Sequence, residues 1–292
     1  MEYGEISAEV RRFYENCAEV GRLERRLGKV EFFRTRELLS QYIQEGSVIY
    51  DVGGGIGMYA RWLAAQGHQV HLLELAEAQV DYAKEHMMGK GLAGGTIINE
   101  HEGIIGGEPL FQAEVADARN LPRPDESADV VLLMGPLYHL QRKEDRMLAL
   151  KEAWRVLKKD GLLVTAGISK YSSATWALDT YSDGNTFLEE DDYFNMLVEE
   201  ISTGNHNCPE GWHLVAEAYF HTAAGMEEEV EEAGFAVKQT HAVEGTIWFT
   251  PNLEEHWDTP AVRERLLKLL HLTECDREMM GMSPHFMTIA RK

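Results

Sequence analysis

The stretch Ser47-Val48-Ile49-Tyr50-Asp51-Val52-Gly53-Gly54-Gly55-Ile56-Gly57 decides the fold. A short apolar run reads as a buried strand, an acid lies near its end, and four glycines follow almost at once. Glycines at such a turn permit a tight bend and let bare backbone approach a ligand. A helix is expected next, over Gly57–Gln66, with Tyr59, Trp62 and Leu63 on its inner face. The glycine spacing discriminates between ligands. A dinucleotide fingerprint needs GxGxxG. Counted from Gly53, Met58 takes the place of the third glycine; counted from Gly54, Ile56 takes the place of the second. The GK[ST] ending of a phosphate-binding P-loop is also absent.

Outward from this stretch, strands alternate with helices. Strands are expected at 69–73, 110–116, 129–134 and 162–168, and helices at 76–90 and 143–157, the latter ended by Lys158, Lys159 and Gly161. This rhythm implies right-handed βαβ units and a mostly parallel sheet with helices on both faces. Residues 6–45 read as helical, with Ser7 as a cap before Val10, Phe13 and Tyr14, and an apolar stripe through Phe32, Phe33, Leu38, Leu39 and Tyr42. After Ser169 the regularity stops until Thr222, a plausible N-cap for a helix to Ala233. A strand over 235–243, a helical stretch over 260–282 and a last apolar strand over 285–291 complete the chain. The expected organisation is one domain: a helical segment (1–46), a binding core (47–170), a lid insertion (171–221) and a closing part (222–292).

The pattern Asp51 to Gly57 resembles the first motif of class I S-adenosylmethionine (AdoMet) dependent methyltransferases, roughly (D/E)xGxGxG, at every fixed position. The resemblance continues in order. Glu74 ends the second strand, Asp117 lies in Ala-Asp-Ala-Arg-Asn-Leu-Pro after the third, and Met134-Gly-Pro-Leu-Tyr-His-Leu140 follows the fourth. Lys151–Leu163 (KEAWRVLKKDGLL) is similar to the family's REAxRVLKPGG stretch, with Lys159-Asp160-Gly161 where Pro-Gly-Gly is usual. The likeness covers about residues 47–168, with 222–243 and 285–291 as the last helix and two strands. It implies a Rossmann-like α/β fold of about seven strands, the last one antiparallel. It also implies AdoMet as cofactor and S-adenosylhomocysteine as product. By the same resemblance the cofactor contacts are Asp51, Gly53, Gly54, Gly55, Gly57, Glu74, Leu75, Asp117, Ala118, Met134 and Gly135. Glu74 would grip the ribose hydroxyls, Asp117 would accept from the adenine amino group, and Asp51 would orient the loop or bind the ammonium.

Methyl transfer is an in-line displacement at an already activated carbon, so alignment and exclusion of water dominate. A base is needed only where the nucleophile must shed a proton early. His139 and Tyr138 are the catalytic candidates; a structural histidine satisfied by backbone is the alternative for His139. Tyr14, Tyr138, His139, Trp212, His213, Tyr219 and His221 are candidates to line an acceptor pocket, and the aromatics of the insertion serve equally well as packing. Arg34 reads as a solvated helix face, and Glu227–Glu232 as an exposed one.

Composition narrows the partners. The 292 residues carry 49 acidic and 28 basic side chains, a formal charge of -21. Such a surface repels phosphate backbones and anionic membranes. Neither nucleic acid nor membrane is expected as a partner, and the expected substrate is a small molecule methylated on oxygen or nitrogen by a monomer or homodimer. A macromolecular acceptor and a non-catalytic AdoMet-binding protein are the alternatives. Cys17, Cys208 and Cys275 form no CxxC pair, so no metal is expected and a reducing, cytoplasmic setting fits. No signal peptide is visible at the N-terminus.

Overall fold

The computed structural model describes residues 20–87, 97–99, 103–105, 110–181, 184–209 and 217–292. In chain order its main elements are α1 (Leu27–Tyr42), β1 (Val48–Val52), α2 (Met58–Ala65), β2 (Gln69–Glu74) and α3 (Glu77–Tyr82). Then come β3 (Gln112–Val115), β4 (Ala128–Leu133), α4 (Pro136–His139), α5 (Lys143–Val156) and β5 (Leu157–Ile168). The rest comprises α6 (Ser172–Asp179), α7 (Asp191–Thr203), α8 (Ala223–Glu232), β6 (Ala236–Ala242), α9 (Leu253–Asp258), α10 (Pro260–Thr273) and β7 (His285–Arg291). The strands form one seven-stranded sheet in the order β6-β7-β5-β4-β1-β2-β3. All neighbours pair parallel except β7, which runs antiparallel to both β5 and β6.

Side chains alternate across each strand, so the sheet has two apolar faces. Tyr50, Val52, Val131 and Leu133 pack with α5 and α8 through Leu150, Ala153, Met226 and Val230. Ile49, Val130 and Leu132 pack the other way with α1 and α2 through Leu38, Leu39, Ala60 and Leu63. Leu132 and Leu133 are both fully buried, each contributing about 1.5–3 kcal/mol. A buried residue on both faces is what the unbroken run Val130–Leu133 signalled. Thr222 caps α8, its hydroxyl accepting from the Gly225 amide at 2.9 Å. A third cluster of Val30, Ile247, Trp257 and Leu270 fastens α1 to α9 and α10.

Several expectations change. α3 is short and passes into a π-helical turn over Ala83–Met87. β5 starts at Leu157, five positions earlier than the pattern suggested, because Asp160 takes a left-handed conformation (φ 63°) and a register irregularity absorbs the Lys-Lys-Asp-Gly segment. Arg34 is buried: its guanidinium meets Glu37 and Glu274 and lies 2.9 Å from His271 Nε2. Charge pairing from a distant helix overrides the surface preference of arginine. Glu229 is likewise buried, gripped by Arg146 at 2.7 Å, whereas its neighbours Glu228, Glu231 and Glu232 are not. The insertion folds as α6, α7 and a two-stranded ribbon pairing 205–207 with 217–219, around Ala177, Tyr193, Met196 and Leu197. Tyr14, Trp212 and His213 lie outside the described residues.

Candidate active site

The carboxyl ends of β1, β2, β3, β4 and β5 open into one cavity of about 290 Å³. Ligands bind outside the carboxyl ends of strands in open α/β sheets. Gly53, Gly54 and Gly55 form its floor, and Asp51, Glu74, Leu75, Asp117, Ala118, Met134 and Gly135 also line it. Gly57 stands behind the floor, as the N-cap of α2 against Phe111 and Leu72. Gly53 has φ 69°, and a Cβ there would lie 2.6 Å from the Pro136 ring. At Gly54 a Cβ would run into the Asp51 carboxylate. The turn therefore admits no side chain at either position, and backbone is what it offers to a ligand.

The acids divide the work. Glu74 accepts from the Gly55 amide at 2.9 Å and from the Ala76 amide at 3.0 Å, so it fixes the turn as well as facing the cavity. Asp117 accepts from the Arg119 amide and guanidinium at 2.9 and 2.7 Å, and Arg119 reaches on to Asp145 at 3.3 Å. That clamp holds the Ala116–Ala118 backbone at the cavity wall. Asp51 is different. Both of its carboxyl oxygens are buried, and no side chain among the described residues hydrogen-bonds either of them. Burial, and then the negative Glu74, push it up to about 7, against a weaker pull from the Ala60 amide. A buried acid in that condition calls for a cation or an N–H donor beside it.

Tyr138 and His139 line the same cavity, their rings 4.5 Å apart. Burial holds His139 down to about 3, so it is neutral at physiological pH and too weak a base for an ordinary hydroxyl. Tyr219 and His221 line no part of it. Tyr219 lies under the Arg146 guanidinium, 3.7 Å from its carbon, and His221 is buried 3.4 Å from Glu229. Both rings thus lie against the buried Arg146–Glu229 ion pair and not at the cavity. The other described histidine of the insertion, His206, pairs with buried Glu200 at 2.6 Å. No described residue of 171–221 lines the cavity, whereas Arg22, Leu23, Glu31 and Thr35 of the N-terminal segment do.

The far wall holds residues that sequence reasoning missed. Arg22, Glu31, Thr35 and Tyr59 meet His285, with Ala166, Ile168, Val243 and Met287 as apolar lining. Arg22 pairs with Glu31 at 2.6 and 3.1 Å. The fully buried Glu244 accepts from His285 Nδ1 at 2.7 Å and from the His285 amide at 3.1 Å. Burial pulls His285 down, but Glu244 and Glu31 outweigh it and raise it to about 9, so this imidazole is protonated. Burial pushes Glu31 up, yet Arg22 and His285 bring it below the usual carboxylate range. The only hint in the chain was a polar His285 opening an apolar strand.

Residues 50–165 match a family model described as a methyltransferase domain. A ubiquinone/menaquinone biosynthesis C-methyltransferase UbiE from Azotobacter vinelandii is 27% identical over 171 residues, covering 54% of this chain and 60% of the relative. The chain thus matches about three-fifths of the length of that curated relative. Among solved structures, a SAM-dependent methyltransferase from Methanosarcina mazei superposes with a TM-score of 0.57 at 19% identity, over 87% of this chain and 96% of the other. The [4+2]-cyclase SpnF does so with a TM-score of 0.51 at 21% identity, over 89% and 80%. These two likenesses concern the fold alone. The family match spans the glycine turn, Glu74, Asp117 and the loop after β4, so on that stretch the chain is similar to a methyltransferase domain and shares its Rossmann-like fold.

Proposed function

We propose that the protein transfers a methyl group to a small acceptor lodged between the glycine turn and the Arg22–Glu31 and Glu244–His285 pairs. The observation that carries this reading is the single cavity joining the two groups of residues. AdoMet supplies an electrophilic methyl on a cationic sulfur, and its ammonium suits the buried Asp51 carboxyl. Glu74 and Leu75 would hold its ribose end, Asp117 and Ala118 its base, and Met134 and Gly135 its amino-acid side. The chain's own task is to hold the acceptor atom in line and keep water out, and Tyr59, Tyr138, Ile168 and Met287 supply the walls.

The charge states at the far wall favour an acceptor that brings its own electron pair. His139 is too weakly basic to take a proton, and His285 already carries one. His285 is therefore a hydrogen-bond donor suited to an ionised hydroxyl or another anionic oxygen. Transfer to oxygen or nitrogen follows from this most directly. Transfer to carbon is the second reading, favoured by the similarity to the C-methyltransferase of Azotobacter vinelandii; an ionised ring hydroxyl activates the neighbouring carbon, so the same donor serves both.

Calorimetric titration with AdoMet, S-adenosylhomocysteine and NAD(H), followed by turnover assays on hydroxyaromatic and amine acceptors, tests the proposal. AdoMet binding with turnover of a small acceptor is the expected result. NAD(H) binding in its place, or AdoMet binding without turnover of any acceptor in either class, would overturn it.

A further inference from the structure

A second group of chemically able side chains lies outside the cavity. His241 near the end of β6, Glu274 just past α10 and the adjacent Cys275 bring one ligating atom each to within 4.8 Å of one another. None of the three lines the active-site cavity. The backbone sets the meeting: the Ala242 amide donates to the Glu274 carbonyl at 2.7 Å, locking the end of β6 to the end of α10.

We propose that His241, Glu274 and Cys275 form a divalent-metal site, with zinc as the ion that the nitrogen, oxygen and sulfur donor set selects. His241 Nδ1 lies 3.3 Å from Cys275 Sγ and 3.4 Å from Glu274 Oε1. Zinc bonds of about 2.0–2.3 Å at tetrahedral angles put neighbouring ligand atoms roughly 3.4–3.6 Å apart. The Nδ1–Oε1 separation is long for a hydrogen bond, whose usual reach is about 2.7–3.2 Å, and near the edge length of such a tetrahedron.

The surroundings match what metal ligands need. Tyr42 Oη lies 2.7 Å from His241 Nε2. When it accepts the Nε2 proton, the Nδ1 lone pair is left for a metal. Arg34 takes the other oxygen of Glu274, fixing the carboxylate's orientation. His241 is buried whereas Cys275 is exposed, so an ion has a route in and a fourth position open to water. Charge balances as well. Zinc displaces the thiol proton to solvent and forms the Zn–S bond; thiolate and Glu274 then neutralise the dication, while Arg34 remains paired with Glu37.

The full chain, stripped with chelator and dialysed, is titrated with cobalt(II) and, separately, with zinc. Expected are one metal per chain, a thiolate-to-cobalt charge-transfer band in the near ultraviolet, and at least a ten-fold loss of zinc affinity in Cys275→Ser. Cys275 is exposed, so that variant keeps the fold; a circular dichroism spectrum checks this. His241→Gln should remove the band too. No charge-transfer band in the wild type, or a band that survives in Cys275→Ser, overturns the site. Neither outcome touches the AdoMet reading, which the calorimetry above decides separately.

Discussion

Asp51→Asn tests the strain at the heart of the cavity. In the folded protein Asp51 is raised from 3.8 to about 7 by burial and by Glu74. A carboxyl whose folded pKa lies above its unfolded one destabilises the fold as pH rises from the unfolded value through the folded one. With both states ionised, at pH 8, that cost is about 4 kcal/mol; at pH 5, where the unfolded chain has ionised and the folded one has not, it is about 2 kcal/mol. The wild type should therefore lose about 2–3 kcal/mol from this group between pH 5 and pH 8. Asparagine cannot ionise, so Asp51→Asn should gain that amount relative to wild type over the same interval. Any fixed cost of burying the amide cancels in the comparison. Urea denaturation of both proteins at the two pH values gives the double difference directly. A ligand cation beside Asp51 should reverse the balance, so AdoMet should bind the wild type with proton release below pH 7 and bind Asp51→Asn more weakly. If the stability gap between the two proteins does not change from pH 5 to pH 8, Asp51 is not the strained acid that its burial implies.

Other changes probe the remaining parts. Glu74→Ala should weaken AdoMet binding by about 1.5–3 kcal/mol, the scale for hydrogen bonds to a charged group; an unaltered affinity in calorimetry would remove Glu74 from the cofactor's contacts. His285→Gln should raise the acceptor's KM while leaving AdoMet affinity intact. Because His285 is charged up to about 9, wild-type kcat/KM should fall as pH rises through that value and the variant should lack that limb; parallel pH profiles would refute the role. The stability that His285 draws from Glu244 should be full below the ordinary histidine range and vanish as pH passes about 9. Arg146→Ala strands Glu229 and leaves the carbonyls of Leu140 and Gln141, which Arg146 holds at 2.9 and 2.7 Å, without it. A loss of about 3–5 kcal/mol is expected in denaturant titration, as for other broken buried ion pairs, and a loss under 1 kcal/mol would show the cluster to be hydrated.

The binding core was legible because its signals are local. Val48–Val52, the glycines and the acids at the strand ends sit within a few residues of the backbone features that position them. The far wall was not, for the opposite reason: Arg22, Glu31, Glu244 and His285 come from opposite ends of the chain, and their meaning appears only when β7 inserts beside β5. Polar residues misled in one consistent way. Arg34, Glu229 and His221 each looked like surface or pocket residues, and each is buried against a charge supplied from elsewhere. A single sequence shows a charge but not its distant counter-charge. β5's early start followed from one left-handed residue, Asp160, which no apolar periodicity reports.

The antiparallel β7 has a consequence of its own. Running against its neighbours, it delivers the first residue of the strand, His285, to the rim where every other strand ends. One wall of the chamber is thus furnished jointly by a strand far along the chain from the glycine turn and by Arg22 and Glu31, which precede it. Under the proposed function, exchanging the segment that carries His285 should change which acceptor is methylated while AdoMet affinity stays as it was.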